Sequence, residues 1–243
     1  MDLIEKTDNP MRHPWELSRC QNILKLLKNN DKDAIYADIG SGDEFFTSKL
    51  PTITNGIVFA IDNKYENKKS EKDGIICLND ISLLENNSVD CLIMMDVLEH
   101  IEDEKSFLEI ALGKLKSNGK LVITVPAMQF LFSSHDVFLK HYRRYSKKQL
   151  LMLLENNGIL VENSYYFYSI LFILKGIYCL LERIFMKNKK STGIGLWRYN
   201  ESSFITRSIN IILNIDFSVN KILSRFSVFL PGLSILAICR KKI

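Results

Sequence analysis

Five short apolar segments rich in β-branched residues recur along the first half of the chain: AIYADI (34–39), GIVFAI (56–61), GIICL (74–78), VDCLIMM (89–95) and KLVITV (120–125). They are apolar at successive rather than alternate positions, as strands are when both faces are covered. Helical patterns separate them. Residues 16–27 bring Leu17, Cys20, Ile23, Leu24 and Leu27 to helical spacing before Lys28-Asn-Asn-Asp ends the run. A second helix is expected over 106–115, stopping at Ser117-Asn118-Gly119, and a third over 147–156, stopping at Asn157-Gly158. VENSYYFY (161–168) and SILAICRK (234–241) read as a sixth and a seventh strand. Strands alternating with helices in this way indicate an α/β fold, a doubly wound, seven-stranded, mostly parallel sheet.

The stretch between the last two strands has another character. SILFILKGIYCLLERIFMKNKK (169–190) is strongly apolar and ends in a basic cluster, and FITRSINIILNIDFSVNKILSRF (204–226) is amphipathic, with a break expected near Asp216. Lys175, Glu182 and Arg183 interrupt the first, so no uncharged apolar run of about 18 residues exists to span a membrane. The expected organisation is a core over 1–168, a helical insertion or lid over 169–230, and a final strand over 231–243 that completes the core sheet. Large apolar residues surround the helix at 169–186, more than one surface contact needs. They can pack as a lid, form a homodimer through 169–226, or lie against a membrane surface with Lys187, Lys189 and Lys190 facing anionic lipid.

Charge and cysteines narrow the partners. The 243 residues carry a formal net charge of +4, which falls short of the basic stripe a nucleic-acid binder presents, so no nucleic-acid partner is expected. Cys20, Cys77, Cys91, Cys179 and Cys239 are odd in number and form no CxxC pair, which suits a reducing compartment. MDLIEKTDNPMRHPW has no secretory apolar region, and a cytoplasmic location is expected, with membrane association open.

The strongest local signal is YADIGSGDEFFTSKL (36–50), read as strand, glycine turn and helical stretch. Gly40 and Gly42 let the backbone turn tightly and approach a ligand. Asp62 follows the second strand, twenty residues beyond Gly42, where a carboxylate can accept both ribose hydroxyl protons. Asp80 follows the third, within reach of an adenine amino group. Singly, each acid reads as a solvated carboxylate or a cap; at successive strand ends they make a nucleoside site. NAD also uses such a site, but Phe45 stands where G-x-G-x-x-G needs its third glycine. Asp38, ahead of the turn, suits the ammonium of S-adenosylmethionine and would repel a pyrophosphate.

The order D-I-G-S-G-D (38–43), A-I-D-N (60–63), N-D-I (79–81) and D-C-L-I-M-M-D-V-L-E-H-I (90–101) resembles the class I S-adenosylmethionine-dependent methyltransferases. The resemblance is to the type 11 branch that includes the ubiquinone-pathway enzymes. It covers about residues 30–168 and recurs in the final strand. It implies a Rossmann-like methyltransferase fold with the last two strands antiparallel, and S-adenosyl-L-methionine as cofactor. By carry-over, Asp38, Gly40, Ser41 and Gly42 would hold the methionine part, Asp62 and Asn63 the ribose, and Asp80 with Ile81 the adenine, with Met95 near the sulfonium. Glu44 stands where the family usually has glycine. HPWELSR (13–19) is similar to a segment that lids the cofactor in related sequences, through Trp15.

Methyl transfer to a hydroxyl needs alignment, exclusion of water and a base. HDVFLKHYRRYS (135–146) offers His135 and His141 as candidate bases, with Tyr142 and Arg143 to bind the acceptor. Similar HD…HYRRY segments occur in a bacterial branch of the family associated with surface glycans; a polar lid whose arginines pair locally is the plainer account. Asp96, Glu99 and His100 sit at i, i+3 and i+4, a spacing that can hold a divalent ion or merely brace the cofactor wall. No metal is expected. The expected function is O-methylation of a small-molecule, glycan or lipid-linked acceptor. The alternative is a non-catalytic S-adenosylmethionine-binding or membrane-surface protein.

Overall fold

The structure of the protein is a computed structural model, and it describes residues 12–28, 30–185 and 203–242. Lys187, Lys189 and Lys190 lie outside the described residues. The elements follow as α1 (Pro14–Leu27), β1 (Tyr36–Ile39), β2 (Val58–Ile61), β3 (Lys69–Lys72), β4 (Ile75–Leu78), β5 (Val89–Met95), α2 (Glu104–Lys114), β6 (Leu115–Pro126), α3 (Ser134–Phe138), α4 (Lys147–Asn156), β7 (Ile159–Phe167), α5 (Ser169–Phe185), α6 (Phe204–Ser224) and β8 (Ser234–Lys241).

The strands form one mixed sheet in the order β3-β4-β2-β1-β5-β6-β8-β7. β4, β2, β1, β5 and β6 are parallel, and β8 runs antiparallel between β6 and β7. The sheet has eight strands, not the expected seven. The extra one, β3, is the edge strand and pairs antiparallel with β4, and its Lys-Ser-Glu-Lys residues are all exposed. A strand with neither face covered leaves no apolar pattern in the sequence. A second difference follows the glycine turn, where a 3-10 helix (Thr47–Thr52) with Pro51 inside it replaces a full α-helix.

Successive residues of the central strands serve two separate cores. Ala37, Ile39, Leu92 and Met94 pack on one face with Leu108 and Ala111 of α2 and Leu150 and Leu154 of α4. Tyr36, Cys91 and Ile93 pack on the other with Ile23 and Leu27 of α1 and Leu213 and Phe217 of α6. The apolar runs are thus continuous because both faces are buried. From β1 the chain goes to β2 on one side, and from β4 it returns to β5 on the other. The connections diverge at the carboxyl ends of β1 and β5, and this opens a crevice.

α6 runs through Asp216 without the expected break. The Asp216 carboxylate is buried and turned across to the start of α5, where it accepts the N–H groups of Ser169 (3.0 Å) and Ile170 (3.2 Å). It caps another helix and so does not compete with its own backbone. Phe217 stacks on Phe167 of β7 at 4.2 Å between centroids, and Asn214 accepts from Ser18 and Asn22 of α1. Among the described residues, no helix is long and apolar enough to cross a membrane.

Removal of this cap by Asp216→Ala should cost about 1 kcal/mol, since it takes the acceptor from two N–H groups at the partly exposed start of α5. Urea denaturation checks this. Asp216→Asn, which keeps an acceptor oxygen, should cost less.

Candidate active site

The turn after β1 is shaped by backbone conformation and by space. Gly40 and Gly42 have φ of 71° and 56°, and Glu44, at the family's usual glycine, also adopts left-handed backbone with φ 63°. A Cβ on Gly40 would lie 2.6 Å from the Val97 Cγ2 atom, on a side chain with little rotamer freedom. The turn is stitched to the end of β2. Gly40 N–H donates to the Ile61 carbonyl (2.8 Å), and Gly42 N–H donates to Asp62 Oδ2 (2.9 Å). The other Asp62 oxygen accepts the Lys64 N–H (2.9 Å).

The turn borders a cavity of about 800 Å³. That volume lies within the range of about 300–1,000 Å³ usual for small-molecule sites. Gly40, Gly42, Asp62, Asn63, Asp80 and Ile81 line one end of it. Trp15 and Met95 line it as well, as does Arg19 from α1. Asp80 is exposed, and hydrogen bonds from Ser82 hold its carboxyl below the usual range. Two expected residues are not on the wall. Ser41 bonds through its hydroxyl to Tyr65 (2.8 Å), and Asp38 is buried behind the turn. One Asp38 oxygen accepts from Thr47, and the other has no hydrogen-bond partner. Burial pushes this carboxyl up to about 7, against the opposing Thr47 bond.

The other end of the cavity is polar. His135, His141, Tyr142 and Arg144 line it, together with Glu99 and His100. Asp136, on the one-turn helix α3, is the hub. Its Oδ1 atom meets His141 Nδ1 at 3.0 Å and accepts from Arg144 Nε at 2.7 Å, and its Oδ2 atom accepts the Ser133 N–H at 2.9 Å. Burial opposes its charge, but the bonds from His141 and Arg144 outweigh burial and hold the carboxyl well below the usual range. With Nδ1–H directed at Asp136, Nε2 is the basic atom of His141. Burial, with the Lys175 charge adding to it, brings His135 down to about 4. Arg143 does not reach the cavity wall; it pairs with Glu104 (3.0 Å) and donates to the Glu102 carbonyl (2.7 Å), and its neighbour Arg144 turns inward.

The acidic set divides as well. Asp96 binds Arg19 and accepts from the Thr124 hydroxyl (3.0 Å), and these partners hold it ionised despite burial. Glu99 is fully buried and neither of its oxygens has a hydrogen-bond partner. Burial first, then the Asp96 charge, push its pKa well above the ordinary value, so it holds its proton. Glu99, His100 and His141 have ligand atoms within 4.8 Å of one another. The set capable of holding a divalent ion therefore contains His141, and Asp96 is engaged elsewhere. Asp136 and Arg144 belong to the 135–146 cluster that the sequence singles out, but their pairing with each other and with His141 has no sequence signal. The pairing of Asp136 with His141 depends on a reversal at Lys140, whose φ is 61°.

The family model described as a methyltransferase domain matches residues 11–164, more than half of the chain. The chain belongs to this methyltransferase family. The cradle suits S-adenosylmethionine: a turn whose wall is formed by two glycines, with carboxylates after β2 and β4. The methyltransferase is similar in fold to the S-adenosylmethionine-dependent methyltransferase of Mesorhizobium loti, with 12% identity over 90% of this chain and 96% of that one and a TM-score of 0.56. The one from Archaeoglobus fulgidus matches at 16% identity over 94% of each chain, with a TM-score of 0.54. Phosphoethanolamine N-methyltransferase 2 of Haemonchus contortus, in complex with S-adenosyl-L-methionine, matches at 17% identity over 95% of this chain and 56% of that chain, with a TM-score of 0.56. No curated protein has a matching sequence.

Asp62→Ala should weaken S-adenosylmethionine binding by about 1.5–3 kcal/mol in calorimetry, through lost charge-assisted bonds and a loosened turn. Unchanged affinity would remove Asp62 from the site.

A second expectation concerns pH. A carboxyl with a higher pKa folded than unfolded holds its proton more tightly in the folded state. Asp38 therefore lowers stability as pH rises from its ordinary value near 3.8 to about 7, and has no further effect above that. Asp38→Asn should remove this dependence. Its melting temperature relative to the unaltered protein should climb across that window, and a pH-independent difference would contradict the assignment.

Proposed function

We propose that this methyltransferase O-methylates a hydroxyl group on a small-molecule, glycan or lipid-linked acceptor, with His141 as general base. The observation that carries this reading is His141, held from behind by the buried Asp136, on the wall of the same cavity as the glycine turn. When bound, S-adenosylmethionine supplies an activated methyl group on a positively charged sulfur. In this reading Gly40 and Gly42 hold its methionine part, with Asp38 buried behind the turn rather than in contact with it. Asp62 and Asn63 take the ribose, Asp80 and Ile81 the adenine, and Trp15 covers the site.

His141 Nε2 accepts the acceptor's hydroxyl proton as the new O–C bond forms. Asp136 keeps the ring oriented and stabilises the imidazolium, and Arg144 and Ser133 fix Asp136 in turn. Glu99, carrying its proton, donates a hydrogen bond to the acceptor oxygen and aligns it. His135, with a pKa of about 4, is the weaker base near neutrality. Within 169–230, helices α5 and α6 act as a lid over a core drawn from 1–168 and 231–243, a reading supported by Leu171 and Lys175 of α5 on the cavity wall.

His141→Ala should lower turnover by about 10²–10⁴ while leaving cofactor affinity within about twofold. Turnover can be followed as S-adenosylhomocysteine release, with the acceptor identified by mass spectrometry of co-purified ligand. His135→Ala should have the smaller effect. Activity should survive exhaustive chelation; its loss would instead make Glu99, His100 and His141 ion ligands.

A further inference from the structure

Helix α5 is inverted relative to an ordinary surface helix. Leu171 and Lys175 turn to the cavity, and Cys179 is buried against the Leu131 carbonyl (3.4 Å). The opposite side presents Ile173, Leu174, Ile177, Leu180 and Ile184, each more than half exposed. α6 repeats the arrangement. Leu213 and Phe217 pack inward, while Ile211, Ile212, Ile215 and Ile222 face outward. A groove lined by Ile170, Ile212, Ile215 and Val219, with the buried Asp216 at its floor as the cap of α5, joins the two helices. The segment after α6 extends it with Phe226, Val228, Phe229 and Leu230, tied to the start of α5 by the Ser169 hydroxyl bond to the Leu230 carbonyl (3.4 Å). Apolar surface this continuous marks an interaction site on a water-soluble domain.

Charge identifies the partner. Within 203–230 the cations are Arg207, Lys221 and Arg225, and the single acid, Asp216, is buried as the cap of α5. Across 169–230 the sequence holds nine Lys and Arg against three Asp and Glu; the remainder holds 23 against 25. All of the chain's positive excess thus belongs to the segment that bears the apolar surface. A second copy docking by twofold symmetry would bring Arg207, Lys221 and Arg225 toward their own copies. An anionic bilayer complements both the charge and the apolar side chains of this segment. The same helix that carries the surface also walls the cavity.

We propose that α5, α6 and the 226–230 segment dock on an anionic lipid bilayer, and that the methyl acceptor is carried on a lipid in that bilayer. The second half rests on the O-methyl-transfer reading above; the docking does not.

Flotation of the full chain with vesicles tests the docking without any catalysis. The chain should float with phosphatidylcholine vesicles containing about 30% phosphatidylglycerol, not with pure phosphatidylcholine, and high salt should weaken binding. The double variants Ile173→Glu/Ile177→Glu and Arg207→Glu/Lys221→Glu should each bind about tenfold more weakly. Unchanged S-adenosylmethionine affinity would show that they remain folded. Absence of flotation, or equal flotation of all variants, overturns the docking; a concentration-dependent dimer in chromatography would then assign the face to a second copy. The acceptor half is tested with methyl-labelled S-adenosylmethionine and vesicles of total membrane lipid. Label in the lipid extract supports it, and label confined to water-soluble products overturns it with docking intact.

Discussion

Burial of β1 and β5 on both faces is the constraint from which the rest of the architecture follows. Ala37 and Ile39 serve one core and Tyr36 the other, so helices must cover both sides of the sheet. Parallel strands with helical crossovers then leave their carboxyl ends free along one edge. The chain moves outward in opposite directions from β1, and the crevice opens where those paths part. Both ends of the cavity are built on that edge: the glycine turn after β1, Asp62 after β2, Asp80 after β4, and Asp96 to His100 after β5.

Charges taken out of water organise the interior of that edge. A buried ion is costly without a partner, so each such group holds its neighbours to a narrow geometry. Asp96 holds Arg19 of α1 against the wall, and Arg19 in turn lies over the Trp15 ring at 4.9 Å. Asp136 gathers His141, Arg144 and Ser133. Glu99 and Asp38 are the exceptions, each with oxygen that no protein group satisfies. Both lie where a ligand is expected, one on the wall and one behind the turn, and both respond to burial by holding a proton more tightly. Local instability of this kind belongs at sites that bind.

The region between β7 and β8 follows a different rule. Its helices meet the core through narrow stripes, Leu171 with Cys179 and Leu213 with Phe217, and turn most of their large apolar residues outward. Polar bonds add to this packing: Asn214 accepts from Ser18 and Asn22 of α1, and Asp216 ties α6 to the start of α5. Hydrogen bonds orient the two helices, and the hydrophobic surface is left for something other than the domain's own core.

The sequence by itself determined the elements whose signal is local. Strands covered on both faces show as unbroken apolar runs, and helix 147–156 ends where Asn157-Gly158 stops it. Gly40, Gly42, Asp62 and Asp80 come together on one cavity wall because each follows the carboxyl end of a parallel strand, a position the sequence displays. Strand β3 was not legible, since backbone pairing at an exposed edge asks nothing of its side chains. Nor was the uninterrupted course of α6, because what Asp216 caps lies 47 residues away in the chain. Only the tertiary structure decided which of two adjacent arginines turns inward, that Asp96 belongs to Arg19, and that His141 joins both Asp136 and the Glu99–His100 pair. Those choices are made by burial and by pairing of charge across the fold, and neither has a period that a sequence can display.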